Sequence, residues 1–219
     1  MEWGLFLHYG PMLASGFLVT LLCWAAATLL GLAIGFAVAL LRRLPVAPLR
    51  WGLRAAVEIV RGTPFLVRLY LLYDGGPQIG LRWSAITCGI VSLGVYGSAY
   101  FAEIFRAGFA AVPAGQVEAA ASLGMAPARI VRRIKLPIML VAILPALVNM
   151  TIILSKETVI LSIITVPELM YQVQSMAAET FAAFEAILAT AVLYWVMVEG
   201  AARLGRSAER ALTRHMVRA

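Results

Sequence analysis

Residues 3–41 read WGLFLHYGPMLASGFLVTLLCWAAATLLGLAIGFAVALL, without one Asp, Glu, Lys or Arg. A hydrocarbon core of ~30 Å takes about 20 apolar helical residues to cross, so this stretch spans a bilayer with turns to spare. Trp83–Ala102 and Leu136–Ser155 are further runs of 20 residues without a charge, and about 55–73 and about 181–202 are apolar apart from isolated ionisable residues. The sequence therefore predicts an all-α integral membrane protein with five transmembrane helices. Composition agrees. Of 219 residues, 62% are hydrophobic and 13% charged, with a mean hydropathy of +0.90, whereas a soluble domain is about a quarter charged.

The formal net charge of +7 does not point to nucleic acid, because the basic residues sit in the loops between spans instead of forming a patch on a soluble fold. Arg42, Arg43, Arg50 and Arg54 follow the first span. Arg106, Arg129, Arg132, Arg133 and Lys135 follow the third, and Arg203, Arg206, Arg210, Arg214 and Arg218 follow the fifth: fourteen of the eighteen. The alternate loops hold mainly Asp74, Arg82, Lys156, Glu157, Glu168 and Glu179. The positive-inside rule then puts the N-terminus outside and the C-terminus in the cytoplasm. Residues 1–14, with Gly10-Pro11, are expected to form a short external or interfacial segment. They lack the basic start and short apolar core of a cleaved leader. The Arg-rich tail, 203–219, reads as a cytoplasmic helix end at the membrane surface.

Small residues four apart mark helix-packing faces: Ala27, Gly31, Gly35 and Ala39 on the first span, and Gly94, Ser98 and Ala102 on the third. Cys23 and Cys88 fall inside spans as small buried side chains. His8 and His215 lie near opposite ends of the chain and predict no metal site.

The cytoplasmic segment 112–135 is longer than a connector needs. Pro113 breaks the preceding span, Gln116–Leu123 is rich in helix formers, Gly124 suits a left-handed stop, and Pro127 suits the first turn of a second helix running to Ile134. A helix-turn-helix is predicted. Glu118-Ala119-Ala120, then Gly124, then Ile134-Lys135-Leu136-Pro137 resembles, at full spacing, the EAA loop of membrane subunits of ATP-binding-cassette importers. Glu58-Ile59-Val60-Arg61-Gly62-Thr63-Pro64 and Tyr100-Phe101-Ala102-Glu103-Ile104-Phe105-Arg106-Ala107-Gly108 are similar to permeases of the polar amino-acid uptake type, the histidine, glutamine and arginine importers. So are Ser155-Lys156-Glu157-Thr158 and Val166-Pro167-Glu168-Leu169-Met170. The resemblance covers about 15–210.

The resemblance implies the type I importer permease fold as one transmembrane domain over 1–219, in a bacterial inner membrane. It implies a polar or charged amino acid, or an opine-like derivative, delivered by an extracytoplasmic solute-binding protein. It also implies a second permease subunit, identical or different, and two P-loop ATPase subunits that bind ATP and Mg2+; this chain would carry no cofactor and no catalytic residues. Glu118, Ala119, Ala120 and Gly124 would couple to the ATPase. The chain's only lysines, Lys135 and Lys156, lie in no phosphate-binding loop, so an energy source must come from another chain or a gradient.

Ionisable groups inside spans are functional candidates. Glu58 and Arg61, three apart, read as a structural pair. Arg68, mid-span where the family usually shows Gln, needs a carboxylate: Glu103, or that of the substrate. Tyr96, Ser98, Tyr100, Glu103, Asn149 and Thr151 supply hydrogen-bonding groups for a pathway. Lys156, Glu157 and Thr158 end the fourth span as pathway residues or as a lip-level ion pair, and Thr158–Pro167 is too short to cross, which suits a re-entrant or interfacial gate. The alternative function is an ATP-independent secondary carrier or channel for small polar solutes. Carriers are commonly built from repeats, and none is evident here. No nucleophile–base pair or metal-ligand cluster speaks for a membrane enzyme.

Overall fold

The computed structural model describes residues 3–217, and the side chains of 3–7, 208 and 211–217 fall outside the description. Met1, Glu2, Arg218 and Ala219 lie outside the described residues altogether, as do the side chains of Arg214 and His215. The elements are helices α1 (Trp3–Leu41), α2 (Ala47–Gly62), α3 (Phe65–Tyr73), α4 (Ala85–Ala110), α5 (Ala114–Ser122), α6 (Pro127–Ile130), α7 (Leu136–Glu157), α8 (Leu169–Thr180) and α9 (Ala183–Val217). A 3-10 turn, Gly76–Ile79, precedes α4. A π turn, Val131–Lys135, joins α6 to α7, and a second 3-10 segment, Thr158–Ile164, follows α7.

Four helical segments among the described residues are long and apolar enough to cross a membrane: His8–Leu41, Ala85–Ala110, Pro127–Ile164 and Ala183–Ser207. The stretch expected to form one further span over 55–73 is divided. α2 stops at Gly62 and α3 starts at Phe65, with Thr63 extended (φ −101°, ψ 131°) between them. Pro64 is the cause: its ring pushes the preceding residue out of the helical region, and it has no N–H for the ladder. At the N-terminus the opposite holds. The segment expected as a short external piece is the beginning of α1, whose 39 residues run through Pro11 and reach about 58 Å at ~1.5 Å per residue. The Arg-rich tail likewise continues α9, where Arg203 and Arg206 both bond Glu199 Oε1, at 2.8 and 3.0 Å.

The α1–α4 contact is the most extensive helix interface in the molecule, and the two small-residue faces read from the sequence form it. A Cβ on Gly35 would stand 2.7 Å from Phe101 Cβ and 2.9 Å from both Ala102 N and Ser98 O. At Gly31 a Cβ would meet the Gly94 carbonyl at 3.0 Å. Backbones approach this closely only because no side chain intervenes, and in lipid such van der Waals packing carries helix association. The main core closes around that seam: Phe101, Leu69, Leu93, Met139, Leu154 and Leu161 are fully buried. Cys23 and Cys88 are buried free thiols in the same cluster.

Gly35→Leu is expected to destabilise the protein by ~1–3 kcal/mol, as overpacking does, lowering its thermal midpoint in mild detergent. Gly52→Ala, where a Cβ meets nothing within 4 Å, should leave the midpoint unchanged or raise it, since Ala is the better helix former. Circular dichroism melts of both variants check the pair.

Candidate functional site

Three groups of sequence-predicted residues occupy three places. The first is the loop after α4. Pro113 precedes α5, and the helix ends at Gly124 (φ +74°) with Met125 N–H donating to Ala120 O at 3.2 Å and Gly124 N–H to Ala121 O at 2.9 Å. This is the Schellman pattern, and it needs a residue tolerant of the left-handed region at Gly124. A helix-turn-helix is present, but its second arm is not a separate short helix: α6 passes through the π turn directly into α7. Glu118 and Ala119 are exposed, whereas Ala120 is buried within the chain and packs inward. Leu123, 81% exposed at the tip, was not singled out by sequence. An exposed Leu between a helix and its glycine stop is the signal that could have marked it.

The second place lies where α2, α3 and α4 face each other. Glu103 is not the partner of Arg68. Its carboxylate accepts from Arg42 at 2.5 Å and from Arg106 at 2.7 Å, joining the end of α1 to α4. Glu58 is bonded by Arg54 at 3.0 Å and not by Arg61; the i,i+4 spacing reaches better than i,i+3 here. Arg61 instead lies over the Tyr100 ring, 5.3 Å from its centre, and Arg68 over Tyr96 at 5.2 Å; the two tyrosine rings meet edge-on at 5.0 Å. Arginine, tyrosine, tyrosine and arginine therefore form a continuous cation–π ladder. Tyr100, Glu103 and Asn149 line one cavity of about 730 Å3 between α4 and α7. Ser98 does not join them. It is buried, donates to Val95 O at 2.8 Å, and its carbonyl faces Gly35. The Thr151 carbonyl accepts the Trp24 indole N–H at 2.8 Å, tying α7 to α1.

The third place follows α7. Lys156 is exposed and Glu157 half-buried, with no ion pair between them among the described residues. Thr158 is buried, donates to Ser155 O at 2.7 Å, and lies 3.3 Å from Tyr194 OH. Within Thr158–Pro167, the run too short to cross, lies a 3-10 helix, Thr158–Ile164, ended by Thr165 in the left-handed region (φ 60°). Beyond it stands a group that sequence had left among loop charges: Glu168, fully buried. One carboxylate oxygen accepts Tyr171 N–H at 2.9 Å, capping α8. The other accepts Tyr194 OH at 3.1 Å and faces the Thr20 hydroxyl at 3.3 Å. Thr20 in turn accepts Leu169 N–H at 3.0 Å. α1, α8 and α9 thus meet on one carboxylate. Its position one residue before α8, after Pro167, was the available signal for a capping role.

Burial pushes the Glu168 carboxyl above its ordinary value, against the opposing pull of its hydrogen bonds. The folded protein then holds this proton more tightly than the unfolded chain does. Its contribution to stability is full below the ordinary glutamic acid range and falls as pH rises through the folded-state value. Glu168→Gln should flatten that part of the melting-temperature profile against pH. Glu168→Ala, which strands Tyr171 N–H and the Tyr194 hydroxyl, should cost ~1–3 kcal/mol at every pH. Melts of the three proteins across the acid range test both statements.

No group of three or more His, Cys, Asp or Glu side chains is placed to hold a metal ion among the described residues.

Residues 27–213 match the family described as binding-protein-dependent transport system inner membrane component. The chain is 35% identical over 192 residues to a probable amino-acid ABC transporter permease protein, YckA, of Bacillus subtilis, covering 88% of this chain and 85% of that one. It is 30% identical over 203 residues to the arginine transport system permease protein ArtQ of the same organism, covering 92% and 93%. Among solved structures, a crystal structure of an amino acid ABC transporter with histidines superposes with a TM-score of 0.89 at 36% identity, covering 96% of this chain and 99% of that one. An inward-facing MetNI methionine ABC transporter, at 22% identity and a TM-score of 0.78, shares the fold.

Proposed function

This chain belongs to the family of binding-protein-dependent transport system inner membrane components, and we infer that it is the membrane subunit of an amino-acid ATP-binding-cassette importer. It is a multi-pass inner-membrane protein that works in a transporter complex with permease and ATPase partners, and ATP hydrolysis belongs to a separate subunit. Membership of a binding-protein-dependent family displaces the ATP-independent carrier as a reading. The observation that carries the inference is agreement over nearly the whole chain, in sequence and backbone alike, with amino-acid transporter permeases.

The finer reading goes further. The solute is a polar or charged amino acid or an opine-like derivative, handed over by an extracytoplasmic solute-binding protein. A second permease, identical or different, completes the path, and two P-loop ATPase subunits hold ATP and Mg2+. The N-terminus faces outside and the C-terminus the cytoplasm, with α2 and α3 together serving as the fifth crossing. α5 is the coupling helix, with Glu118, Ala119 and the exposed Leu123 offered outward and the buried Ala120 and Gly124 fixing the turn's shape. Support for that assignment comes from the exposure of Glu118 and Leu123 and from the left-handed Gly124. The path runs along the α4–α7 cavity past Tyr100, Glu103 and Asn149, and continues to Tyr96, which touches Tyr100, and to Arg68 over the Tyr96 ring. Lys156, Glu157 and Thr158 stand at the outer end, where the 3-10 segment forms a gate. Ser98 and Thr151 serve this path indirectly, through helix contacts.

Gly124→Asp should leave the protein inserted and extractable while the co-purifying ATPase is lost and uptake of amino acid falls to background. The substitution places a Cβ at φ +74° and a charge at the docking turn. Extraction of the tagged chain from its native membrane, mass spectrometry of bound proteins and an uptake assay read this out. Undiminished uptake would sink the coupling assignment.

A further inference from the structure

Arg68 sits just past the Thr63–Pro64 break, on the second turn of α3. Its Nη1 donates back across the break to the carbonyl of Val60, near the end of α2. That contact has a structural purpose. The last carbonyls of a helix lack partners within it, and a cation there complements the helix dipole. Ile59's carbonyl is already used by Thr63, through both N–H and hydroxyl, at 3.0 and 2.7 Å. Arg68 therefore straps α3 onto α2 with one nitrogen, while the Tyr96 ring covers a face of the guanidinium.

The other two nitrogens, Nε and Nη2, are buried and no protein acceptor meets them among the described residues. These two carry the parallel N–H pair of the guanidinium fork, the edge whose spacing matches the two oxygens of a carboxylate. A guanidinium stays charged at any accessible pH, and leaving two charged donors unmatched in a low-dielectric place is unfavourable. Glu103 is held by Arg42 and Arg106, and Glu58 by Arg54. Glu157 is in none of the ion pairs among the described residues. Among the described residues no carboxylate meets the fork.

We propose that the Nε/Nη2 edge of Arg68 is a binding site for a carboxylate of the transported solute, uncovered when α3 tilts about the Thr63–Pro64 break. The site rests on the amino-acid importer reading and deepens it. A carboxylate fits because it is planar, accepts two parallel bonds, and enters edge-on beside the Tyr96 ring. Tilting at Thr63–Pro64 is the natural motion, because no helical hydrogen bond of Pro64 has to break for it. The strap to Val60 aims the guanidinium in the closed arrangement and lets go as α3 tilts.

The test uses the purified permease–ATPase complex in nanodiscs, without the solute-binding protein, which reads the solute independently. Equilibrium binding of radiolabelled L-arginine, L-histidine, L-glutamine and L-glutamate is measured on the parent complex and on Arg68→Lys and Arg68→Gln. Lysine keeps the charge and a donor for Val60 but lacks the fork. At least ten-fold weaker binding is expected in both variants, with the ATPase still co-purifying. Competition then identifies the carboxylate. Failure of the bound amino acid's α-amide to compete assigns the α-carboxylate, whereas tight L-glutamate with weak L-glutamine assigns the side-chain one.

Equal affinity of parent and Arg68→Lys overturns the site, as does inorganic phosphate competing as well as the amino acid. Loss of ATPase association in both variants, with affinity unchanged in whatever complex remains, reduces Arg68 to a strap and overturns it too. Uptake by the reconstituted parent complex with its binding protein keeps the two readings apart. Uptake without any binding at the complex overturns the Arg68 site alone, while absence of uptake for every polar and charged amino acid and for an opine such as octopine overturns the importer reading.

Discussion

A backbone contact without side chains between α1 and α4 is the constraint from which the rest of the structure hangs. Lipid gives apolar helices no hydrophobic reason to associate, so association rests on close packing and a few polar ties. Gly31 and Gly35 bring the two backbones together. Along α1 the polar ties are then spaced from end to end. Thr20 reaches Glu168 and the start of α8, Trp24 reaches the carbonyl of Thr151 on α7, and Arg42 reaches Glu103 on α4. Each tie has the right length only if α1 lies against α4 at the distance that glycine permits. A helix set an ångström further out would strand the Trp24 indole and the Thr20 hydroxyl together.

The two internal carboxylates with the most partners are satisfied in opposite ways, and the difference follows from their surroundings. Glu103 stands in a cavity wall, half-buried, and is matched by two arginines. Glu168 is fully buried and meets no cation in the ion pairs of the described residues; it is matched by an amide, a phenol and a hydroxyl. An ion pair suits a place where water can still screen and rearrange. A carboxylate surrounded by neutral donors suits a joint between three helices that has to keep one geometry, because each donor is aimed by its own helix. The former lies beside the proposed path and the latter beside the proposed gate.

Much of this could be read from residues alone. Charge-free runs marked α1, α4 and α7, and a nearly charge-free one marked α9, because a bilayer imposes a length. The faces of Gly31, Gly35 and Gly94 were legible because only small residues recur at that spacing, and Gly124 because a helix stop needs a left-handed residue. What was not legible depends on choice among partners. Arg61 had Glu58 three residues away and took Tyr100 instead; Glu103 had Arg68 as a candidate and took Arg42, sixty-one positions off in sequence. Spacing along one helix shows what can meet, whereas the meeting across helices is fixed by packing that no local pattern encodes. Glu168 was missed for the same reason. It resembles any loop carboxylate until Thr20 and Tyr194 arrive from the two ends of the chain.

The π turn at Val131–Lys135 has a bearing on how α7 is aimed. An α-helix advances about 100° per residue, so one residue more or less between the loop and the span rotates everything on one side relative to the other by over a quarter turn. Removing a single residue there would yield a longer, more regular helix and better hydrogen bonds, yet would swing Asn149 out of the cavity wall or turn α5 away from its present heading. The chain keeps the less regular form. At that joint, azimuth is worth more to the protein than helical regularity, and the segment sets a fixed phase between α5 and α7.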